Sequence, residues 1–251
     1  MKKHSVKVSL SDSQPFQAGA TNRRQFIKLG GASLAIGGLL LAGCEDDDEM
    51  TPTNPTDPDE DTVFDLGSGD VGVLNYAYAL EQLEADFYTR VFNNFYTGIT
   101  AEEQQVLTDL YYHEVIHREF FKTAITAAVS DSSLVLPELE FDYGDLDFSN
   151  RDAVLATAKA LEDTGVAAYN GAGRLLSNPD YLLIAGKIVS VEARHAAAIR
   201  SLINPDSDDF AGDDVVDPTN GLDVALSPAD ILPIAGGFIT TEFTANNLPT
   251  S

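Results

Sequence analysis

His113-Glu114-Val115-Ile116-His117 and Val191-Glu192-Ala193-Arg194-His195 are the two stretches that decide the reading of this chain. Each holds a glutamate followed three residues later by a histidine, Glu114/His117 and Glu192/His195, inside an apolar stripe of helical period. An i, i+3 pair lies on one face of a helix, where a carboxylate and an imidazole can grip the same metal ion. The chain has four histidines, and the first, His4, lies in what reads as a leader. The other three, His113, His117 and His195, all fall within these two motifs. A Glu-x-x-His pair on each of two helices, with one further glutamate from each of two others, makes the ligand set of a carboxylate-bridged two-metal site in a four-helix bundle.

The two further glutamates come from a partial internal repeat. Ala79-Leu80-Glu81 is followed by Tyr88 seven residues after the glutamate, and Ala160-Leu161-Glu162 by Tyr169 at the same distance. Glu81 precedes Glu114 by 33 residues and Glu162 precedes Glu192 by 30. Two similar helical hairpins thus each supply a lone glutamate and a Glu-x-x-His pair, which makes Glu81, Glu114, His117, Glu162, Glu192 and His195 the candidate metal ligands. Carboxylate and imidazole donors in this number suit iron or manganese better than copper or calcium. The expectation is two ions, bridged mainly by Glu114 and Glu192.

Around these ligands the spacing predicts four helices, at about 69–97, 101–130, 150–177 and from Asn178-Pro179 to about 204. Thr100 and Glu103 form a capping box before the second, and Asn178-Pro179 places a cap and an N1 proline before the fourth. The candidate ligands sit on the 3-4 seams, at positions that should be apolar. A buried, unpaired carboxylate costs several kcal/mol, on the order of what a whole domain can spare, so six ionisable groups in one core need partners. Short connections join helices 1–2 and 3–4, and a longer one, Asp131 to Ser149, joins 2–3. Residues 205–251 read as an irregular tail whose apolar patch, Ile231 to Ile239, packs on the bundle. The tail acids Asp206, Asp208, Asp209, Asp213 and Asp214 lack calcium-loop spacing and read as solvated loop.

On these residues the chain resembles the ferritin-like superfamily. It is most similar to a bacterial branch of ferritin-like, desiccation-associated proteins, in Leu80-Glu81-Gln82-Leu83-Glu84-Ala85, Leu161-Glu162-Asp163-Thr164-Gly165 and Val191-Glu192-Ala193-Arg194-His195. The resemblance covers roughly residues 69 to 204. It implies an all-α, ferritin-like four-helix bundle with a long crossover between helices 2 and 3. It also implies redox chemistry at a metal pair: ferrous oxidation by oxygen or peroxide, or peroxide removal if manganese is bound. Related sites often place an aspartate just before one Glu-x-x-His; here those positions are Val191 and His113.

Other readings compete. His113-Glu114-x-x-His117 also spells a zinc-protease signature, which leaves Glu81, Glu162 and the second pair without a role. Glu84, one turn from Glu81, is an alternate ligand or a supporting partner, while His113 is a supporting group or a surface residue. Tyr88 and Tyr169 are either packing aromatics or neighbours of the oxidant. A non-catalytic stress-protection protein that retains the bundle is the rival functional class.

The first 44 residues stand apart. Asn22-Arg23-Arg24-Gln25-Phe26-Ile27-Lys28 resembles a twin-arginine export signal carried by Arg23 and Arg24, and Leu29 to Ala42 is an apolar run too short to span a bilayer as a mature helix. Leu41-Ala42-Gly43-Cys44 looks like a lipoprotein cleavage box, with Cys44 the lipidated residue. The domain reading is therefore a signal at 1–43, an acidic tether at 44–68, the bundle at 69–204 and the tail at 205–251. A protein so arranged is exported and lipid-anchored at the cell envelope. The one cysteine excludes an intramolecular disulfide and cysteine-based zinc or iron–sulfur sites. Six of the 15 basic residues and one of the 40 acidic ones precede Cys44, leaving a formal charge of −30 beyond it. Such a surface repels nucleic acid and anionic lipid. Anchor, tether and tail together favour a monomer or dimer over a closed storage shell.

Overall fold

The computed structural model describes residues 63–250. Arg23, Arg24, Cys44 and most of the acidic tether lie outside the described residues. Five α-helices occur among the described residues: α1 (Gly69–Asn93), α2 (Ala101–Ala128), α3 (Arg151–Ala172), α4 (Pro179–Ile203) and α5 (Pro228–Ala235). The protein is all-α in class, with a single two-residue strand pair, β1 (Phe64–Asp65) and β2 (Phe243–Thr244), parallel and in register at Phe64–Phe243.

Local chemistry sets the helix ends. Thr100 accepts from the Glu103 amide at 3.2 Å while the Thr100 amide donates to Glu103 Oε2 at 2.8 Å, so the capping box forms on α2. Asn150 caps α3 and Asn178 caps α4, with Pro179 opening the latter where its missing N–H is harmless. Two helices are shorter than periodicity predicts. The chain leaves α1 at Asn94, short of 97, and buries Tyr96 beyond the turn. α3 ends at Ala172 and tightens into a 3₁₀ turn, Gly173–Leu175, that buries Leu175.

α1 and α2 form one antiparallel hairpin and α3 and α4 the other, with the crossover between them. α1 is the most enclosed helix: a nearly unbroken run from Gly72 to Ala85 is buried. Such enclosure demands partners for its polar members. Asn75 donates to the Leu66 and Leu134 carbonyls and accepts from the Leu136 amide; one heptad on, Gln82 donates to the Pro137 carbonyl and accepts from Leu139. These two amides thus pin the crossover along α1 on backbone groups that water would otherwise have to satisfy. Phe87, Tyr143, Phe148 and Phe238 then pack ring against ring, joining α1, crossover and tail.

The tail is more ordered than a solvated loop. α5 rests on α3 with Ile231 fully buried. Upstream, the Leu226 amide donates to the Ala167 carbonyl on α3. A Cβ at Gly171 would lie 1.7 Å from the Leu226 carbonyl oxygen, so only glycine admits this approach. Asp214 is exposed, as expected of a solvated loop, yet it also shares the buried Arg200 guanidinium with Asp163 through bonds of 2.8–3.0 Å. Arg200 holds the Asp214 carboxyl down at about 2. The sequence signal for this clamp is weak, because a terminal arginine on a helix is ordinarily a solvated dipole partner.

The acidic tether ends before residue 68, the boundary that composition suggests. Phe64–Asp65 pair with the far end of the chain and Leu66 is fully buried, so these residues belong to the folded unit. Asp65 is the fastener: it accepts from the Thr244 hydroxyl, Asn247 and the Gly67 and Asn246 amides. Those bonds, Thr244's foremost, lower its pKa from 3.8 to about 2. A depressed carboxylate pKa contributes stability that is fully present above 3.8 and lost as pH falls through about 2. The stability difference between wild type and Asp65→Asn, measured by urea unfolding, is therefore expected to be constant above pH 4 and to vanish towards pH 2. In the same assay Gly171→Ala is expected to destabilise by about 1–3 kcal/mol, as overpacking against backbone does.

Candidate metal centre

The middle of the four-helix core is polar. Glu81 from α1, Glu114 and His117 from α2, Glu162 from α3, and Glu192 and His195 from α4 converge there. All four glutamates are fully buried and His195 is 3 % exposed. One turn away along their helices stand apolar residues, among them Leu110, Phe121, Ala158, Ile188 and Ile199, all buried. Each ligand thus sits where the heptad would place a leucine.

Distances resolve the cluster into two overlapping groups, Glu81/Glu114/His117/Glu192 and Glu114/Glu162/Glu192/His195, each with donor atoms mutually within 4.8 Å. His117 Nδ1 is 2.8 Å from Glu192 Oε1 and 3.4 Å from both Glu81 Oε2 and Glu114 Oε2. His195 Nδ1 is 2.8 Å from Glu114 Oε1, 3.0 Å from Glu192 Oε2 and 3.4 Å from Glu162 Oε2. Glu114 and Glu192 therefore each send one oxygen to either imidazole. Glu81 and Glu162 serve one group apiece.

The lone glutamates are steered from the opposite hairpin. Tyr88 on α1 donates to Glu162 Oε1 at 2.6 Å, and Tyr169 on α3 donates to Glu81 Oε1. Each tyrosine sits one heptad from the glutamate of its own helix and serves the glutamate of the other, so the sequence repeat becomes a reciprocal pair of bonds. Burial, reinforced by the carboxylates they face, pushes both hydroxyls well above the ordinary tyrosine range, so they stay protonated donors. This role, missed by the sequence reading, was signalled by the matched seven-residue spacing.

The remaining donor atoms test the fit to metal. Glu81 Oε2, both Glu114 oxygens, Glu162 Oε2, Glu192 Oε1 and His117 Nδ1 are buried with no properly directed hydrogen bond. One donor atom from each residue of either group lies within 4.8 Å of the others, close enough to share an ion. Four carboxylates also carry the charge that two divalent cations would neutralise. Without such cations, protons hold the cluster together. Burial and the neighbouring Glu192 push Glu114 up to about 8, and burial raises Glu162. Burial opposes the protonation of His117 and His195, but the facing carboxylates win and raise both. Burial likewise opposes ionisation of Glu192, yet the two facing imidazoles bring it down to about 2. Metal ligation must displace protons from such a set. The residues present fit bound metal.

Glu84 joins neither group. It is buried beside Gly165, whose missing Cβ gives its Oε1 room, and burial with four nearby carboxylates pushes it well above the usual range. His113 also stays out of both groups. Its Nδ1 is 2.9 Å from His195 Nε2 and the two rings stack at 5.1 Å. This contradicts the zinc-protease reading, since His113 faces a second imidazole instead of sharing an ion with His117, and Glu114 is occupied at the centre of the cluster. Were His195 Nδ1 to ligate an ion, Nε2 would be the nitrogen left to carry the proton, which would make it the donor and His113 Nδ1 the acceptor.

Residues 69–205 match the family model described as ferritin-like domain. The chain belongs to the ferritin-like family. No curated protein matches it. In this ferritin-like chain His113 contacts the candidate ligand His195 from the solvent edge of α2. His113→Ala is expected to weaken metal binding by roughly 10–100-fold, the usual scale for losing a ligand's orienting partner, with partial recovery in His113→Asn. Competition titration against a chelator reads both, and equal affinities in all three proteins would contradict the assignment.

Proposed function

We propose that this protein holds two iron or manganese ions in its bundle and uses them for redox chemistry on oxygen or peroxide. The observation that carries the reading is the sharing of Glu114 and Glu192 between two complete ligand groups. When bound, such a pair supplies two adjacent redox centres able to oxidise ferrous iron, or to disproportionate peroxide if manganese is present. The chain's own contribution is positional. Tyr88 and Tyr169 lock Glu162 and Glu81, His113 locks His195, and the apolar turns above and below exclude bulk water.

The reading extends to place and assembly. Arg23-Arg24 and Cys44 support export and lipid anchoring at the cell envelope, with the acidic tether standing the bundle off the membrane. No described helix is long and apolar enough to cross a membrane, so attachment in this reading rests on the acyl chain. We propose a monomer or dimer, related to the desiccation-associated branch, that works at its metal pair without storing mineral.

Purified protein loaded with iron or manganese is expected to retain about two ions per chain, and less than about a tenth of that under both conditions would overturn the proposal. Stopped-flow ferrous oxidation is expected to fall by at least about tenfold in Glu114→Ala and in His195→Ala, each of which removes a direct ligand where even a supporting partner costs 10–100-fold. Wild-type rates in both would leave a non-catalytic stress-protection protein as the better account. A Cys44→Ser variant is expected to leave the membrane fraction, and its continued pelleting would remove the anchor.

A further inference from the structure

The chain carries a formal charge of −30 beyond Cys44, yet one face escapes it. Outside their buried residues, α2 and α4 bear four acids and four bases. Along that face runs an apolar stripe on α2: Tyr112, Ile116 and Phe120, which are 52 %, 56 % and 39 % exposed. Four-residue spacing sets them in one row on the helix. The two helices lie side by side here, since His113 touches His195 and Phe120 shares a hollow with Ile184. Large apolar side chains exposed in a row mark an interaction surface, where single ones do not.

The stripe is self-complementary. A two-fold axis through Ile116 turns α2 onto itself antiparallel, reversing both direction and flank. Ile116 then meets its own copy, and Tyr112 of one chain meets Phe120 of the other. His113 and Glu119 lie three residues before and after Ile116, on opposite flanks of the stripe. The same rotation therefore sets Glu119 of one chain against His113 of the other. Arg194, which precedes His195 on α4, stands at that level and is exposed, with the Ser190 carbonyl as its hydrogen-bond partner. Among the described residues the Glu119 carboxylate binds only its neighbour Arg118, and His113 Nε2 has no partner. One carboxylate thus faces two groups able to donate to it.

Charge and area then select the occupant. Two chains of this charge repel in most orientations and meet at least cost where each is neutral. The 28 residues of α2 extend about 42 Å. A face of that length and about 15–20 Å wide buries roughly 600–800 Å² per chain, within the range of a stable interface. We propose that two copies of this chain pair antiparallel along α2 about a two-fold through Ile116, and that the partner's Glu119 accepts from His113 Nε2 and from Arg194 at the solvent edge of each site. The pairing needs no metal; only the contribution of Glu119 to the site rests on the metal reading above.

The test uses the full chain with Cys44→Ser in every protein, so that neither an acyl chain nor the native thiol joins copies. Sedimentation of the metal-free protein is expected to show a two-chain species that becomes a monomer in Ile116→Arg, with circular dichroism unchanged. Glu119→Arg and Arg194→Glu are each expected to weaken pairing by at least about tenfold, as like charges set face to face do, and the double reversal to restore it. Ile116→Cys is expected to form a disulfide-linked dimer under mild oxidation, because the two-fold brings the two thiols within reach. Thr126→Cys, exposed on the same helix but far from the axis, is not. A chain that stays monomeric across the concentration series would overturn the proposal. So would a dimer that survives Ile116→Arg, a double reversal no better than either single one, or equal crosslinking at 116 and 126. In chelator competition, Glu119→Ala is expected to weaken metal binding roughly threefold, the scale of one hydrogen bond, and to have no effect in the Ile116→Arg background. An equal effect in both backgrounds would overturn the contribution to the site. Failure of metal loading leaves the pairing standing, and failure to pair leaves the metal reading standing.

Discussion

Four carboxylates and two imidazoles sit in a core that has almost no water to solvate them, and nearly every other feature of the bundle follows from that. Each group must be desolvated by the same packing that makes the helices stable, and an isolated buried charge costs several kcal/mol, a large share of a domain's net stability. Proton sharing partly solves the problem: Glu114 is pushed to about 8 while Glu192 is drawn to about 2. Six donor atoms remain without a directed partner. The arrangement is poor as a hydrogen-bond network and good as a ligand sphere.

Reciprocity between the hairpins is how the fold meets this constraint. A tyrosine reaching from α1 to the α3 glutamate, and another from α3 to the α1 glutamate, ties the two halves through the groups that most need holding. Neither hairpin can satisfy its own glutamate in this way, so site formation and bundle assembly are coupled. Arg200 adds a second tie next to the site, joining α4 to Asp163, the neighbour of Glu162, and to Asp214 in the tail.

Outside the core, the segments without helical period are held by side chains of α1 and of β1 before it. Asn75 and Gln82 bind the crossover through its backbone, and Asp65 binds the final residues of the chain. Crossover and tail thus gather over the same aromatic cluster. Both are irregular in secondary structure yet ordered in packing, because their carbonyls and amides find partners on a rigid helix.

The four long helices, the caps of α2 and α4 and the identity of six unusual seam residues could be read from sequence, because helical period, capping chemistry and ligand spacing are local properties of the chain. The partial repeat also exposed the two lone glutamates. Tertiary structure alone decided what each group touches. Glu84 and Glu81 lie one turn apart on α1, yet Glu81 joins the cluster while Glu84 lies buried against Gly165. His113 could be assigned a partner only once α2 and α4 were placed side by side. The strand pair of residues 64–65 with 243–244, the Arg200 clamp and the closeness of Leu226 to Gly171 join segments tens to nearly two hundred residues apart. No pattern of period or spacing encodes such contacts, since they depend on how completed helices pack and not on the order of residues within them.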